Sequence, residues 1–319
     1  MSTSSSHSSP THAARAGVGR PAAGRRAAAG PALVLGASAL WGTTGTVASL
    51  APAGASPLAV GAATMGFGGL LTLAIAARRT LAVLRGGRAV LPYALFGALG
   101  VVVYPLAFYT SMAWAGVAVG TVVSLGSAPM FAALLERLLD GARLTRRWLV
   151  ATTAAAVGCV ALVLTGDGTA EATTGGDRLQ AGVALGLLAG AGYAAYTYCA
   201  ARIIGRGHSS RGAMGALFGL ATLVLLPVFA VTGSELAGSA GGLAVIAYLA
   251  LIPMCLAYVL FGAGLARVTV SAATTLSLFE PVVAAVLGVA VVGERLGVTA
   301  WAGVGLVVAG LFVLTVRRR

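Results

Sequence analysis

The sequence predicts an all-α membrane protein of ten transmembrane helices, arranged as two inverted five-helix repeats. Three observations predict this fold class: the apolar composition, the placement of the arginines and an internal repeat. Hydrophobic residues make up 58% of the 319 residues and charged residues 9%, and the mean hydropathy is +0.95. Because a soluble domain carries roughly 25% charged residues, this composition excludes an ordinary globular domain.

Ten apolar runs are long enough to cross the roughly 30 Å of hydrocarbon in a bilayer. They lie at about 31–50, 57–77, 91–113, 117–138, 148–166, 180–201, 212–232, 242–265, 269–291 and 298–316. The predicted organisation is a disordered basic tail over 1–29, a first repeat over 30–166, an external linker over 167–179 and a second repeat over 180–319. A signal peptide is the competing interpretation of the N-terminus, but the first apolar run is long for one.

The basic residues support this count of spans independently. All 21 are arginines, and with a cytoplasmic N-terminus 19 of them fall in cytoplasmic segments. Only Arg178 and Arg295 then lie outside. Cytoplasmic loops carry such an excess of positive charge, so we expect a multi-pass protein of the plasma (inner) membrane with both termini in the cytoplasm.

The two halves of the sequence align at a shift of 152 positions without a gap. Pro129 then falls on Pro281, Gly158 on Gly310, and Gly141-Ala142-Arg143-Leu144 on Gly293-Glu294-Arg295-Leu296. Trp41 falls on Tyr193, a weaker match. Because each half holds five spans, the two halves are expected to cross the membrane in opposite senses, as the repeats of many secondary transporters do.

Glu280 is the only ionisable residue near the middle of a predicted span. A charged carboxylate at that depth costs roughly 2.5–3.5 kcal/mol on insertion scales and usually faces a cavity or a partner. The alternative is a structural, protonated or helix-paired glutamate. We favour a functional role. Ser277 shares the helical face of Glu280 and is a further candidate for substrate binding, although small residues on this face leave either a cavity or room for a close helix.

Two prolines at matching depth are candidate helix kinks. Pro129 and Pro281 lack an N–H, so each frees a backbone carbonyl four residues earlier, on Leu125 and Ser277 respectively. A tolerated kink with no role in binding is the competing interpretation, because proline is common in membrane helices.

Aromatic residues gather near the middle of several predicted spans, where they can line a pocket and stack on a substrate or a cation. The candidates for cavity walls are Trp41, Tyr109, Tyr193, Tyr196 and Tyr258. Packing without a binding role is an equally open interpretation of this group.

Several other functions find no support in the sequence. The arginines form no single patch, so nucleic-acid binding is not expected. No phosphate-binding loop of the form GxxxxGK[ST] occurs, which argues against ATP-driven transport by this chain alone. The three histidines lie outside the spans and the three cysteines within apolar runs, so neither a metal site nor a cofactor is predicted.

Short motifs in both halves resemble the EamA group of the drug/metabolite transporter superfamily. They are Leu40-Trp41-Gly42-Thr43, Pro129, Leu278-Phe279-Glu280-Pro281 and Gly293-Glu294-Arg295-Leu296. The resemblance covers about 31–316, each half resembling one EamA unit. It implies an exporter of amino acids, amines or other metabolites with a central cavity between the halves. Ala142 departs from the pattern, since half one of the family often has Glu there.

The sequence therefore predicts a secondary transporter of a small-molecule substrate that works by alternating access and is not an enzyme. Glu280 is expected to bind a cationic group or a coupling proton. The alternatives are an intramembrane enzyme acting on a lipid-linked substrate, which needs more clustered polar residues, and a membrane sensor, which usually carries a soluble signalling domain. Substrate identity, direction, coupling ion and oligomeric state do not follow from the sequence.

The topology can be tested with single cysteines at Ser6 and Thr173 in a variant that lacks the three native cysteines. We expect an impermeant thiol reagent to label the cysteine at 173 in intact cells and to spare the one at 6, because the arginines favour a cytoplasmic N-terminus. Labelling at 6 but not at 173 would contradict this topology.

Overall fold

The computed structural model describes residues 21–115, 117–164, 176–292 and 297–316. Every regular element in these ranges is helical, which confirms the predicted all-α class. The helices are α1 (Pro21–Trp41), α2 (Thr44–Ala48), α3 (Pro57–Leu84), α4 (Leu91–Ala115), α5 (Val117–Asp140), α6 (Arg146–Leu164), α7 (Gly176–Gly205), α8 (Ser210–Thr232), α9 (Ser234–Ala237), α10 (Ala240–Leu265), α11 (Val270–Val291) and α12 (Val298–Thr315).

Eight helices within the described residues are long and apolar enough to cross a membrane: α3, α4, α5, α7, α8, α10, α11 and α12. α1 and α6, which contain the predicted first and fifth spans, are not among them, so the predicted count of ten is not confirmed. α1 begins at Pro21, within the segment predicted as a tail. Residues 1–20 of that tail, residues 167–175 of the linker and the motif at 293–296 lie outside the described residues.

Local sequence signals fix where several helices begin and end. Ser56 caps α3 by accepting a hydrogen bond from the backbone N–H of Ala59 at 3.1 Å, with Pro57 at the first helical position. α5 ends at Asp140. The φ of +66° at the next residue, Gly141, favours glycine, and the N–H of Ala142 donates to the carbonyl of Glu136. Such helix starts and stops are readable in the sequence.

Equivalent helices of the two repeats pack against each other. α3 packs along its counterpart α8 and α6 along α12, while α4 packs on α7 as its counterpart α10 packs on α1. A Cβ built on Gly158 would lie 2.7 Å from the carbonyl oxygen of Gly303. At the equivalent place, a Cβ on Gly310 would lie 2.6 Å from the carbonyl oxygen of Ala151. These contacts make α6 and α12 antiparallel about a pseudo-two-fold axis, as expected for inverted repeats.

The two prolines predicted as paired kinks differ in the structure. Pro281 follows a 3₁₀ turn at Ser277–Phe279 that interrupts α11, and the backbone N–H of Glu280 donates to the carbonyl of Ser277. The carbonyl that Pro281 frees is therefore already paired. Pro129 lies buried inside α5, where no such interruption occurs. Only the second repeat has a break in helical geometry next to its proline.

Replacing Gly158 or Gly310 by Ala is expected to destabilise the protein by roughly 1–3 kcal/mol, because the added methyl group meets backbone atoms of the paired helix. Alanine otherwise favours a helix over glycine, so the loss would come from packing alone. Thermal unfolding in detergent measures it. Gly305→Ala, on α12 with open space around the added methyl group, is the control and should be neutral or stabilising. Equal melting temperatures for all three variants would contradict the close approach of α6 and α12.

Candidate functional site

A cavity lies between the two repeats. Its volume is about 60 Å³. Its walls come from both repeats: Trp41, Thr44, Gly61, Thr64, Met65, Tyr104, Phe108, Tyr109, Tyr193, Tyr196, Pro253, Met254, Tyr258 and Glu280. It lies between the middle of the bundle and the end where α1 ends and α3 begins, since its residues on α7, α10 and α11 lie around the middle of those helices.

Aromatic rings form a continuous wall of the cavity. Trp41 lies with its ring centroid 4.9 Å from that of Tyr258, Tyr193 lies 5.2 Å from Tyr196, and Tyr104 lies 5.6 Å from Tyr193. Phe108 stacks on Tyr104 and contacts Tyr109 edge-on. Because α1 and α4 supply some of these rings and α7 and α10 the others, the wall joins the two repeats.

Hydrogen bonds hold the polar tips of these rings. The hydroxyls of Tyr196 and Tyr258 are 2.7 Å apart, and the indole N–H of Trp41 donates to the carbonyl of Pro253 at 2.8 Å. Pro253 lies in a π-helical stretch of α10, Ala250–Leu256. Such stretches are frequent at functional sites, and here the stretch contributes a partner for the indole.

Ser277 does not line the cavity. It is buried, and its hydroxyl accepts a hydrogen bond from the hydroxyl of Tyr193 at 2.8 Å while donating to the carbonyl of Thr274. Ser277 was expected to leave space beside Glu280, but its hydroxyl instead contacts Tyr193 on α7, and a role of Ser277 in binding stays a prediction. Its contact is with a cavity residue, so it supports the orientation of Tyr193.

Glu280 is the one acidic side chain among the residues that line the cavity. It is half-buried, and the single ion pair in the described part of the chain joins Asp140 to Arg202 elsewhere. No basic side chain in the described ranges forms an ion pair with Glu280 to compensate its charge. It can therefore hold a proton or bind a cation that enters the cavity.

The backbone around Glu280 is tightly packed. A Cβ on Gly42 would lie 2.9 Å from the Glu280 carbonyl oxygen and 2.6 Å from the Cβ of Val283. Gly42 follows Trp41 directly at the end of α1. The Trp-Gly pair thus places an indole in the cavity wall and lets the chain approach α11 closely.

The structure brings together Glu280 with Trp41, Tyr109, Tyr193, Tyr196 and Tyr258, all predicted from the sequence as site residues. Their role in binding stays a prediction. Sequence reasoning did not single out Thr44, Gly61, Thr64, Met65, Pro253 and Met254. Thr44 directly follows the motif Leu40-Trp41-Gly42-Thr43, so its position could have indicated a place near the site. Thr64, Met65 and Met254 resemble the other small or apolar residues of a membrane helix.

No metal site is evident: the described ranges contain no group of three or more His, Cys, Asp or Glu side chains placed to hold an ion. The three cysteines are buried and unpaired with one another.

Comparison with known proteins adds three findings. The family model described as the EamA-like transporter family matches residues 28–164 and 180–316, one match per repeat. Uncharacterized transporter YwfM of Bacillus subtilis (strain 168) is 36% identical over 288 residues, which cover 90% of this chain and 93% of that protein. A solved structure described as "Crystal structure of protein" is similar in fold, with a TM-score of 0.70 at 21% identity over 89% of this chain and 95% of that one.

Gly61 offers a test of the cavity, because a side chain there would meet the ring of Tyr109. We expect Gly61→Ala to displace the ring into the cavity and to raise the KM for the transported solute severalfold, with the fold retained. Gly45→Ala, in the adjacent α2 with open space around the added methyl group, should behave as the native protein. An unchanged KM for Gly61→Ala would place the substrate away from Tyr109.

Proposed function

We propose that this chain, which belongs to the EamA-like transporter family, is a secondary transporter that exports small metabolites such as amino acids or amines across the bacterial plasma membrane. It is a multi-pass membrane protein, with eight membrane-competent helices in its described residues. The observation that carries the proposal is the single carboxylate, Glu280, in an aromatic cavity built by both repeats.

The chemistry of the cavity favours a solute with an amino group. The carboxylate of Glu280 can form a charge-assisted hydrogen bond with an ammonium group, stronger than a neutral one. The faces of Trp41, Tyr104 and Tyr193 attract a cation electrostatically. In the absence of the solute, a proton can neutralise Glu280, which makes a proton the natural coupling ion for export.

Alternating access provides the transport cycle. Two repeats of similar structure and opposite sense can exchange conformations, so that a site between them opens first to one side and then to the other. With both termini in the cytoplasm, the arginines lie at the cytoplasmic end and the cavity lies nearer the external end. No ATP is required, since the gradient of the coupling ion supplies the free energy.

Purified protein in liposomes, tested against a panel of amino acids and amines, is expected to carry a gradient-driven flux of at least one solute without ATP. Glu280→Gln keeps the shape of the side chain and removes its charge, so the flux or its pH dependence should collapse. Glu280→Asp keeps the charge and shortens the reach, so part of both should remain.

Glu235→Gln is the matched control, because Glu235 is an exposed carboxylate on α9 outside the cavity. It should transport as the native protein does. Flux at the native rate across pH by Glu280→Gln would show that Glu280 is structural, and strict dependence of the flux on ATP would refute secondary transport.

A further inference from the structure

Charged contacts join the two repeats at the end of the bundle opposite the cavity. Here α5 and α7 end and α11 begins, and we call this place the arginine end. Glu136, on α5, is only 8% exposed. Its carboxylate accepts hydrogen bonds from the backbone N–H groups of Val270 at 2.7 Å and Ser271 at 3.2 Å. These N–H groups belong to the first turn of α11, where a helix leaves donors unpaired and favours negative charge.

Asp140, one turn further along α5, contacts the second repeat as well. Its carboxylate accepts from the guanidinium of Arg202 at 2.8 Å and from the hydroxyl of Tyr198 at 3.0 Å, both on α7. Next to this pair, the guanidinium of Arg206 donates to the hydroxyl of Tyr93 on α4 at 3.0 Å and stacks over its ring. Two carboxylates and one tyrosine of the first repeat are therefore bound to the second.

The repeat makes this arrangement one-sided. At the shift of 152 positions, Glu136 corresponds to Gly288 and Asp140 to Val292, while Arg202 corresponds to Leu50 and Arg206 to Gly54. An inverted repeat places these four equivalent positions at the opposite end of the bundle, and none of the four residues there is charged. Any contact there that mirrors the arginine end lacks these ion pairs and charge-assisted hydrogen bonds.

We propose that Glu136 and Asp140, with their partners on α11 and α7, form a lock that holds the arginine end closed and makes this conformation the resting one. This proposal rests on the proposed function, because transport by alternating access requires a conformation in which the arginine end is open. Two inverted repeats with matching contacts would favour neither conformation. Among the described residues, these charged contacts join the repeats at one end alone, and they bias the equilibrium towards the conformation in which that end is closed.

Ala273 is a suitable reporter of opening. It is fully buried on α11, one turn beyond Val270 and on the helical face that leads to Ser277 and Glu280. Solvent can reach it from the arginine end when α11 separates from the helices packed against it, α5 among them. Thr44, on the cavity wall at the other end, reports the opposite opening.

The test measures maleimide labelling rates of Ala273→Cys and of Thr44→Cys in purified protein whose three native cysteines are replaced by Ala. Glu136→Gln or Asp140→Asn is expected to raise the rate at 273 about tenfold, since each removes the carboxylate charge that strengthens these hydrogen bonds, and to lower the rate at 44. Exchanging charges in the pair Asp140→Arg with Arg202→Asp should restore slow labelling at 273. Glu235→Gln should leave both rates unchanged.

An unchanged labelling rate at 273 in both single variants would contradict the lock. A parallel rise of the rates at 273 and 44 would also contradict it, because it indicates a general loss of packing. Because labelling needs no substrate, it stays informative if the flux screen fails. Conversely, normal flux through Glu280→Gln would refute the proposed role of Glu280 and leave the lock standing.

Discussion

The close approach of the two repeats is the constraint on which the rest of the structure depends. Because lipid tails are as apolar as the helices, the burial of apolar surface contributes little free energy to helix association in a membrane. Close van der Waals packing must supply that free energy. Gly158 and Gly310 let α6 and α12 touch backbone to backbone, and Gly100 and Gly192 do the same for α4 and α7. These contacts set the distance between the repeats and so the width of the cavity.

The fold follows from the sequence to a large extent, because its signals are periodic or cumulative. Apolar runs, arginine placement and the shift of 152 residues each sum over many positions, and the antiparallel pairing of α6 with α12 agrees with the inverted repeat. The ends of elements are less accessible. α1 begins at Pro21, a residue that the first helical position tolerates, and most of residues 22–29 are Ala or Arg, which favour a helix, although the composition resembles that of a tail.

The candidate site was predictable where the residue type itself is unusual for a membrane span. Glu280 and the tyrosines stand out against Ala, Gly, Leu and Val. A helical wheel does not show that the hydroxyl of Ser277 pairs with that of Tyr193, 84 residues away, and that Ser277 is absent from the cavity lining. The role of Glu136 could not be predicted, because a carboxylate at the end of a predicted span is expected to face solvent. Its partners are backbone N–H groups 134 and 135 residues away in the sequence.

The indole of Trp41 has an optical consequence. Of the four tryptophans, Trp41 alone among those described lines the cavity, while Trp114, Trp148 and Trp301 lie at the ends of other helices. Its N–H is fixed on the Pro253 carbonyl and its ring borders the space next to Glu280. Fluorescence emission from this residue therefore responds to the polarity and occupancy of the cavity, and replacing the other three by Phe would give the protein a built-in spectroscopic sensor of its own solute.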